Sequence, residues 1–414
     1  MAVLRPFEAI RPREDIVHQV AALPYDVMSS EEAKEMVKDN PYSFLHVDKA
    51  EIDLEPSIDL YDKKVYEKAR DNLNKMIDDG VYIKDNQPCL YIYKLIMDER
   101  EQIGIVGCAS IDEYQDNIIK KHELTREDKE QDRIKHVDYC NANTGPIFLT
   151  YRSKKEINDL INTWMKTHRA VYDFKAEDGI GHIVWVIDDN NMIEQIKTYF
   201  KEINYLYIAD GHHRTASAVK VGLKRRKEGA YTGQEEFNYF LSVLFPDEQL
   251  HIMDYNRVVK DLNGLSEEEF FDAIKEKFEI EELENSKPYE PVKSHEFGMY
   301  INKSWFRLVA KEGTYNHEDP VKRLDVSILQ NYLLGPILGI KDPRTDNRID
   351  FIGGIRGLKE LENRVENGMK VAFSMYPTTI EELMDIADAN KIMPPKSTWF
   401  EPKLRSGIFI HSLI

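Results

Sequence analysis

The sequence predicts a mixed α/β fold, in which an N-terminal core is followed by a C-terminal α+β part. Apolar runs of strand length alternate with amphipathic stretches of helix length along the chain. Its 414 residues are too many for one small core, and the 42% that are hydrophobic suffice to bury sizeable cores. We therefore expect two or three packed units, which we divide into residues 1–245 and 246–414. The polar, proline-containing stretch 283–295 is the best candidate junction.

The predicted strands are apolar runs bounded by turn residues or by charges. Two of them flank a charged turn at Asp98 and therefore predict a hairpin. The run over residues 300–310 is long enough for a pair of strands. The predicted strands cover residues 3–10, 90–97, 103–111, 146–151, 182–187, 205–209, 240–245, 300–310, 348–351 and 371–375.

The predicted helices carry apolar residues at helical spacing on one face. Ser29 and Glu32 match a capping box at the start of the first helix, and Gly80 ends the second. The predicted helices cover residues 29–39, 58–79, 126–141, 156–166, 192–202, 215–226, 266–278, 324–338, 358–366 and 380–389.

Charge and cysteine content narrow the class of protein. The 56 basic and 74 acidic residues give a net charge of −18, which argues against binding nucleic acid through its phosphates. Cys89, Cys108 and Cys140 show no paired spacing, which excludes a disulfide framework and a cysteine-based zinc site. The start lacks a signal-peptide pattern, and no apolar stretch approaches the ~18 residues of a membrane span. We expect a cytoplasmic protein that binds neither nucleic acid nor membranes.

The most informative segment is the turn Asp210-Gly-His-His-Arg214, which directly follows the apolar run 205–209. A helix-forming stretch begins at Thr215, so the turn lies where a buried strand passes into a helix. Helix N-termini offer unpaired N–H groups and a positive dipole end, both of which attract anions. With an arginine, two imidazoles and a carboxylate added, the turn predicts a phosphate site. The alternative is that Asp210 caps the helix and that the histidines are surface residues.

A second cluster, Lys121-His-Glu-Leu-Thr125, is followed by Lys129, Asp132 and Arg133. Its His-Glu pair resembles part of a metalloprotease motif, but Arg126 stands where the second histidine is required. We therefore do not predict zinc-dependent hydrolysis. The alternative to a functional cluster is a charged, solvated helix.

Two further segments end apolar stretches with polar groups. In Asp254-Tyr-Asn-Arg257, the Asn–Arg pair could hold a carboxylate or phosphate, although an ordinary surface ion pair is the competing interpretation. In Asp350–Gly357, a glycine turn carries Arg356, but it matches neither the phosphate-loop pattern nor the dinucleotide fingerprint.

The C-terminal loop 393–407 concentrates cations and hydroxyls between prolines that stiffen it. Lys396, Lys403 and Arg405 could therefore be held towards one anion, although a basic tail lying on an acidic surface is the alternative. The chain has no protein-kinase motif set. Phosphoryl transfer nevertheless needs mainly cations, a metal and a carboxylate, and the sequence supplies groups of these kinds.

The turn at Asp210 resembles the phosphate-binding box of the ParB–sulfiredoxin superfamily, and more specifically that of its free serine kinases. The resemblance extends over most of the chain to a longer subfamily, formerly a domain of unknown function, which includes pyrophosphate-dependent serine kinases. The segments that carry it are Pro24–Val27, Asn40–His46, Lys121–Thr125 with Asp132–Arg133, Asp210–Ala218, Asp254–Arg257 and Lys396–Gly407.

The resemblance implies a ParB-like catalytic domain over residues 1–245, and a C-terminal domain that completes the anion site. It implies transfer of a phosphoryl group to free L-serine, within serine and cysteine metabolism, with Mg²⁺ as cofactor and Asp210 as the candidate metal ligand. The expected catalytic residues are Asp210, His213, Glu123 and Asp26. The expected donor-binding residues are Gly211, His212, Arg214, Thr215, Lys396, Ser397, Thr398, Lys403, Arg405 and Ser406. The expected substrate-binding residues are His122, Thr125, Arg133, Asn256, Arg257 and Arg356.

Pyrophosphate is the expected donor because basic groups from several segments suit a small, highly charged molecule, and no adenine pocket can be identified in the sequence. The alternatives are the same kinase with ATP or ADP, a ParB-like nucleotide-binding or DNA-associated module, and a phosphatase or nuclease that uses the same anion pocket. Assembly into a homo-oligomer is left open.

Overall fold

A computed structural model describes residues 1–283 and 287–414, so residues 284–286 of the predicted junction lie outside the described residues. The chain forms two compact units. The first comprises Met1–Leu250 together with Pro402–Ile414, and the second comprises His251–Glu401. The predicted division after residue 245 falls close to this boundary, but the final segment packs within the first unit rather than with the C-terminal part.

The secondary structure alternates as the mixed α/β prediction requires, which confirms the fold class. The helices are α1 (Val17–Val20), α2 (Ser30–Met36), α3 (Leu45–Asp48), α4 (Lys63–Asp78), α5 (Ile111–Gln115), α6 (Glu127–Cys140), α7 (Lys155–Thr167), α8 (Asn190–Phe200), α9 (His212–Glu228), α10 (Glu267–Lys275), α11 (Asp325–Leu329), α12 (Lys359–Glu366) and α13 (Ile380–Asp388). Among the residues that the structure describes, no helix is both long enough and apolar enough to cross a membrane.

The strands range from two-residue bridges to the long hairpin of the first unit. They are β1 (Ile10–Pro12), β2 (Tyr82–Lys84), β3 (Leu90–Met97), β4 (Arg100–Ser110), β5 (Ile119–Lys120), β6 (Ala142–Asn143), β7 (Ile147–Tyr151), β8 (Tyr172–Lys175), β9 (Gly181–Ile187), β10 (Leu206–Asp210), β11 (Tyr239–Pro246), β12 (Ile252–Met253), β13 (Tyr255–Val259), β14 (Phe278–Glu282), β15 (Glu296–Ile301), β16 (Ser304–Ala310), β17 (Ile349–Gly353), β18 (Val371–Met375), β19 (Trp399–Phe400) and β20 (His411–Ser412).

An eight-stranded mixed sheet organises the first unit, in the order β5-β10-β7-β11-β4-β3-β9-β8. The predicted hairpin is present as β3 and β4, and its turn places Asp98 and Glu99 at positive φ. β10 pairs in parallel with β5 and antiparallel with β7. The apolar side chains of β7, β10 and β11, including Leu149, Ile208 and Leu244, are buried in one core with residues of α7 and α8. This core fixes β10, and therefore the position of the Asp210 turn.

The N-terminal region differs from the prediction in one element and agrees in another. The predicted strand over 3–10 is wrong, because only Ile10 of that segment belongs to a strand while Arg5 and Phe7 form isolated bridges. Pro6, which has no N–H, stands between these bridges and interrupts a ladder. The capping box at Ser29 is confirmed, since both reciprocal hydrogen bonds with Glu32 are present.

A six-stranded antiparallel sheet forms the second unit, in the order β14-β16-β15-β18-β13-β17. Its own core includes Val258, Trp305 and Leu361, the last from α12. The helix predicted over 324–338 is shorter, because α11 ends at Leu329 and a π-helical turn occupies Gln330–Leu334. Gly335 and Pro336 follow this turn, and neither residue type propagates a helix.

The C-terminal segment is built into the first unit by backbone pairing. The N–H groups of Ala22 and Ser406 each donate to the other residue's carbonyl, at 3.2 and 2.9 Å. Ile10 and Ile410 exchange two bonds in the same way, at 3.0 and 2.9 Å. β20 then pairs with β6. This segment therefore carries Lys403 to Ser406 into the first unit.

One buried carboxyl group in the second unit predicts a pH dependence of stability. Burial raises the pKa of Asp325 from 3.8 to about 8, although its Oδ1 accepts a 2.8 Å hydrogen bond from the His295 N–H. Between these values the folded state holds a proton that the unfolded state has lost. The free energy of unfolding should therefore fall by about 1.4 kcal/mol per pH unit as pH rises through that range.

Replacing Asp325 by asparagine removes the titration, so the Asp325→Asn variant should lose less stability than the wild type from pH 5 to pH 8. Urea unfolding of both proteins at several pH values measures the difference in slope. Equal slopes would show that Asp325 titrates near its ordinary pKa in the folded protein.

Candidate functional site

The start of α9 is shaped by a glycine in the left-handed region. β10 ends at Asp210, Gly211 has φ of +95°, and α9 begins at His212. A Cβ at Gly211 would lie 3.1 Å from both Nε and Nη2 of Arg214. The turn therefore needs glycine for two reasons, its backbone angle and the closeness of the guanidinium. The Thr215 N–H donates to the Gly211 carbonyl at 2.9 Å and Thr215 Oγ1 donates to it at 3.0 Å, so Thr215 closes the first turn of the helix.

Asp210 lies between two cations at this turn. Its Oδ2 is 3.6 Å from Arg214 Nη2 and 3.6 Å from Lys403 Nζ. Burial would raise the pKa of Asp210, but the charges of Lys403 and Arg214 outweigh that effect and lower it to about 2. The carboxylate is therefore ionised at neutral pH, and the two cations lie beside the N-terminus of α9.

Arg214 joins the turn to the residues before β7 and to the C-terminal segment. Its Nη1 donates to the Pro146 carbonyl at 2.8 Å, while its buried Nε has no hydrogen-bond partner among the described residues. A Cβ at Gly145 would lie 2.9 Å from Ser406 Oγ and 3.5 Å from Arg214 Nη1. The structure thus brings Ser406, Lys403 and Arg214 to one place.

His213 faces the start of α6. Its Nε2 accepts a 3.0 Å hydrogen bond from the Arg126 N–H, and burial lowers its pKa against the opposing charges of Asp26 and Glu130. Thr125 Oγ1 donates to Glu130 Oε2 at 2.7 Å, which ties the last residue of the Lys121–Thr125 cluster to α6. Asp26 and His213 are therefore neighbours, although they are far apart in the sequence.

His122, Glu123 and His212 form a cluster next to Asp210. One donor atom of each lies within 4.8 Å of the others, and the two imidazole rings meet edge to face with centroids 4.5 Å apart. Burial lowers the pKa of His122 to about 4, although the negative charge of Asp210 acts to raise it. Burial and the neighbouring His122 also lower the pKa of His212 well below its ordinary value. Both rings are neutral at pH 7.

Arg133 lines a small polar cavity beside Arg214. Its guanidinium binds Asp132 at 2.8 Å and lies 4.0 Å from the centroid of the Tyr25 ring. The cavity has a volume of about 30 Å³. Its polar lining consists of Tyr25, Asp48, Arg133, His136, Asn143, Thr144 and Arg214. Arg133, which was predicted to bind substrate, therefore lines the same cavity as Arg214 of the Asp210 turn.

Sequence reasoning missed Asp48 and Thr144. Asp48 is 5% exposed and accepts a 3.0 Å hydrogen bond from Thr144 Oγ1. Neither residue belongs to a motif in the sequence, because each comes from a different segment and only the fold brings them to Arg133. Tyr25 was included only through its segment, Pro24–Val27, and nothing in the pattern separated it from Asp26.

Arg405 has a different environment from the one predicted. Its guanidinium is 4% exposed, forms an ion pair with Asp178 and donates through Nε to His182 Nε2 at 3.2 Å. His182 Nδ1 in turn bonds to the Tyr93 hydroxyl at 2.8 Å. These contacts give Arg405 a structural position, and a donor phosphate would have to displace them.

Six of the predicted site residues belong to the second unit and come from three separate segments of it. They are Asn256, Arg257, Arg356, Lys396, Ser397 and Thr398. Arg257 is 3% exposed, and it donates to the carbonyls of Tyr255 and, at 2.9 Å, of Lys396. Burial lowers the pKa of Arg257 to about 10. Asn256 Oδ1 accepts from the Met375 N–H at 2.9 Å, which is a structural contact. The remaining three are Arg356, which is exposed, Ser397, which is buried, and Thr398, which is half-buried.

A family model described as "Protein of unknown function (DUF1015)" matches residues 4–327. A comparison with curated proteins found no match. A solved structure of a free serine kinase variant in complex with AMP is 13% identical, with a TM-score of 0.38 over 76% of this chain and 94% of that chain. A conserved hypothetical protein from Pyrococcus furiosus is 15% identical, with a TM-score of 0.35 over 74% of this chain and 94% of that one. C-terminally truncated SbnI from Staphylococcus aureus is 8% identical, with a TM-score of 0.36 over 73% and 85%. Similarities this weak carry no functional argument for this chain.

Proposed function

The chain belongs to the DUF1015 family of proteins of unknown function, and we propose that it transfers a phosphoryl group from pyrophosphate to the hydroxyl of free L-serine. The observation that carries the proposal is the Asp210 carboxylate between Arg214 and Lys403 at the start of α9, with each cation 3.6 Å from Oδ2. Phosphoryl transfer depends on such positioning and charge, because the protein mainly stabilises charge on the transferred group.

The donor phosphates would lie at the N-terminus of α9. The helix dipole and the unpaired N–H groups after Gly211 favour an anion there. Arg214 supports this placement, since its buried Nε lacks a hydrogen-bond partner among the described residues and is free to donate to a phosphate oxygen. Lys403 adds a second positive charge beside it.

The polar cavity beside Arg214 supports a small acceptor. Asp48 offers a negative charge and Arg133 a positive one, which suits the ammonium and carboxylate groups of a free amino acid. Its volume of about 30 Å³, small beside the ~300 Å³ and more of ligand pockets, admits only a small polar group. The preference for pyrophosphate over ATP or ADP rests instead on Arg214 and Lys403, whose charges suit a small, highly charged donor.

The proposed reaction is direct. The serine oxygen attacks the nearer phosphorus of pyrophosphate, the bridging P–O bond breaks, inorganic phosphate leaves, and the hydroxyl proton passes to a carboxylate. A pKa of about 2 makes Asp210 a weak proton acceptor, so it is better suited to orient the hydroxyl or hold a metal. Glu123, and Asp26 beside His213, remain the candidate bases.

Mg²⁺ is the expected cofactor of the transfer. Mg²⁺ binds oxygen ligands and is commonly held by one or two carboxylates plus the substrate's phosphates. Asp210 fits that pattern as a carboxylate beside the proposed donor site. When bound, Mg²⁺ would neutralise charge on the donor, while Arg214 and Lys403 hold its phosphates.

Mass spectrometry of product tests the proposal. The protein is incubated with Mg²⁺, isotope-labelled L-serine and either pyrophosphate, ADP or ATP, and labelled O-phosphoserine is quantified. We expect phosphoserine with pyrophosphate, and little with either nucleotide. Phosphoserine with only ADP or ATP would contradict the donor but retain the kinase. Phosphate release without serine, and no phosphoserine with any donor, would instead indicate a phosphatase.

A further inference from the structure

Two histidines near the turn are buried without hydrogen-bond partners. His122 is 1% exposed and His212 is 7% exposed. Both ring nitrogens of His122, and Nε2 of His212, lack a partner among the described residues. The Ile208 carbonyl is near enough to favour the charged form of His122, but it is not placed for a hydrogen bond. Three ring nitrogens are thus left unsatisfied in one place.

Unsatisfied nitrogens of this kind need a physical explanation. A buried polar atom that makes no hydrogen bond costs about 1–3 kcal/mol, and folded proteins contain few of them. The two rings pack edge to face with their centroids 4.5 Å apart, but this contact provides no hydrogen-bond partner for the ring nitrogens. A ligand that accepts lone pairs would resolve this cost, and a cation is such a ligand.

We propose that His122, Glu123 and His212 bind a divalent first-row transition-metal ion. Two imidazoles and one carboxylate suit Mn²⁺, Fe²⁺, Co²⁺ or Zn²⁺, whereas Mg²⁺ and Ca²⁺ prefer all-oxygen ligands. The donor set has no thiolate, so it does not select soft ions. The ion bound here is therefore of a different class from the Mg²⁺ proposed at Asp210.

The spacing of the donors allows such an ion with small side-chain rotations. The donor atoms lie within 4.8 Å of one another. Zinc ligands lie about 2.0–2.2 Å from the ion, which places neighbouring tetrahedral ligands about 3.4 Å apart. Turning the Glu123 side chain, which is half-buried, would close the difference. Three protein ligands leave at least one coordination position for water or a substrate oxygen.

The surrounding charge also favours a cation at this position. The negative charge of Asp210 acts on both imidazoles, while Lys121 opposes it at His212. The inference goes beyond the proposed kinase activity, because metal binding is measurable on the protein alone. A Glu123 carboxylate that binds the ion leaves Asp26 as the candidate base of that activity.

The test is metal binding by the full chain, freed of any histidine tag and dialysed against a chelator. Titration with Zn²⁺ by calorimetry should show one tight equivalent per chain. Titration with Co²⁺ should give the d–d absorption of an ion bound to nitrogen and oxygen ligands. His122→Gln and His212→Gln should each weaken Zn²⁺ binding by at least about 100-fold, since even the loss of an outer-shell partner costs about 10–100-fold.

His213→Gln is the matched control. His213 is adjacent to His212 in sequence, but its Nε2 accepts from the Arg126 N–H instead of facing the cluster. The His213→Gln variant should therefore bind Zn²⁺ with an affinity within about threefold of that of the wild type. Glu123→Gln should weaken Zn²⁺ binding without changing the circular-dichroism spectrum. Absence of a tight Zn²⁺ equivalent in the wild type would overturn the proposal. So would unchanged affinity in correctly folded His122→Gln and His212→Gln proteins.

Discussion

Replacing Asp210 by asparagine should reduce phosphoryl transfer by about 10³-fold while the fold is retained. The substitution keeps the shape of the side chain but removes the charge that Arg214 and Lys403 face at 3.6 Å. Under the proposed mechanism, the acceptor hydroxyl and a bound Mg²⁺ would lose the carboxylate that positions them. Arg214 and Lys403 would also lose the anionic partner that lies between them. Steady-state rates of phosphoserine formation measure the loss.

The matched control for this variant is Asp112→Asn. Asp112 forms a comparable ion pair with Arg226 near the opposite end of α9, with Oδ1 2.6 Å from Nη1, and its side chain is 54% exposed. This variant should keep the wild-type rate. A near-normal rate in Asp210→Asn, with an unchanged thermal transition, would remove Asp210 from the mechanism.

Lys403 and Arg405 should give opposite results, although they are two residues apart. Lys403→Met removes a charge from the donor site beside Asp210, so the KM for the donor should rise by about 10–100-fold with little change in stability. Arg405→Met removes the hydrogen bond to buried His182 and the ion pair with exposed Asp178, so it should lower the free energy of unfolding by about 1–3 kcal/mol.

Donor kinetics and urea unfolding, measured on both variants, separate the two roles. Lys403→Arg keeps the charge and should restore most of the donor affinity. If Lys403→Met left the donor KM unchanged, the C-terminal segment would have only a structural function in the first unit. A stable Arg405→Met protein with a raised donor KM would instead support the role predicted for Arg405 from the sequence.

The fold was predictable where local patterns decide it. The hairpin β3–β4, α6 and β18 lie within a few residues of their predicted positions, because alternation and helical spacing are properties of short segments. The strand at 3–10 and the length of α11 were not predictable in this way. Pro6 and the Gly335–Pro336 pair interrupt apolar patterns that otherwise continue. The sheet order β5-β10-β7-β11 depends on pairing between distant segments, which a single sequence does not encode locally.

The site shows the same limit. The turn at Asp210 was predictable because strand, glycine and helix are contiguous there. The His-Glu pair at 122–123 was only part of a metal motif in the sequence, because His122 lies in a loop and the second imidazole of the cluster is His212, at the start of α9. Arg405 carried the same charge pattern as Lys403, and only the partners Asp178 and His182 distinguish the two residues. Pattern identifies the residue types, while their neighbours decide their roles.

The return of Pro402–Ile414 to the first unit has a consequence for biosynthesis. Lys403 emerges from the ribosome only after all 151 residues of the interposed unit, His251–Glu401, have been translated. Until then, the backbone groups of Ala22 and Ile10 in the nascent N-terminal region lack their partners in the C-terminal segment. A chain released early would also lack Lys403, one of the two cations at Asp210. The pair of cations at Asp210 is therefore complete only after His251–Glu401 has been translated and Pro402–Ile414 has joined the first unit.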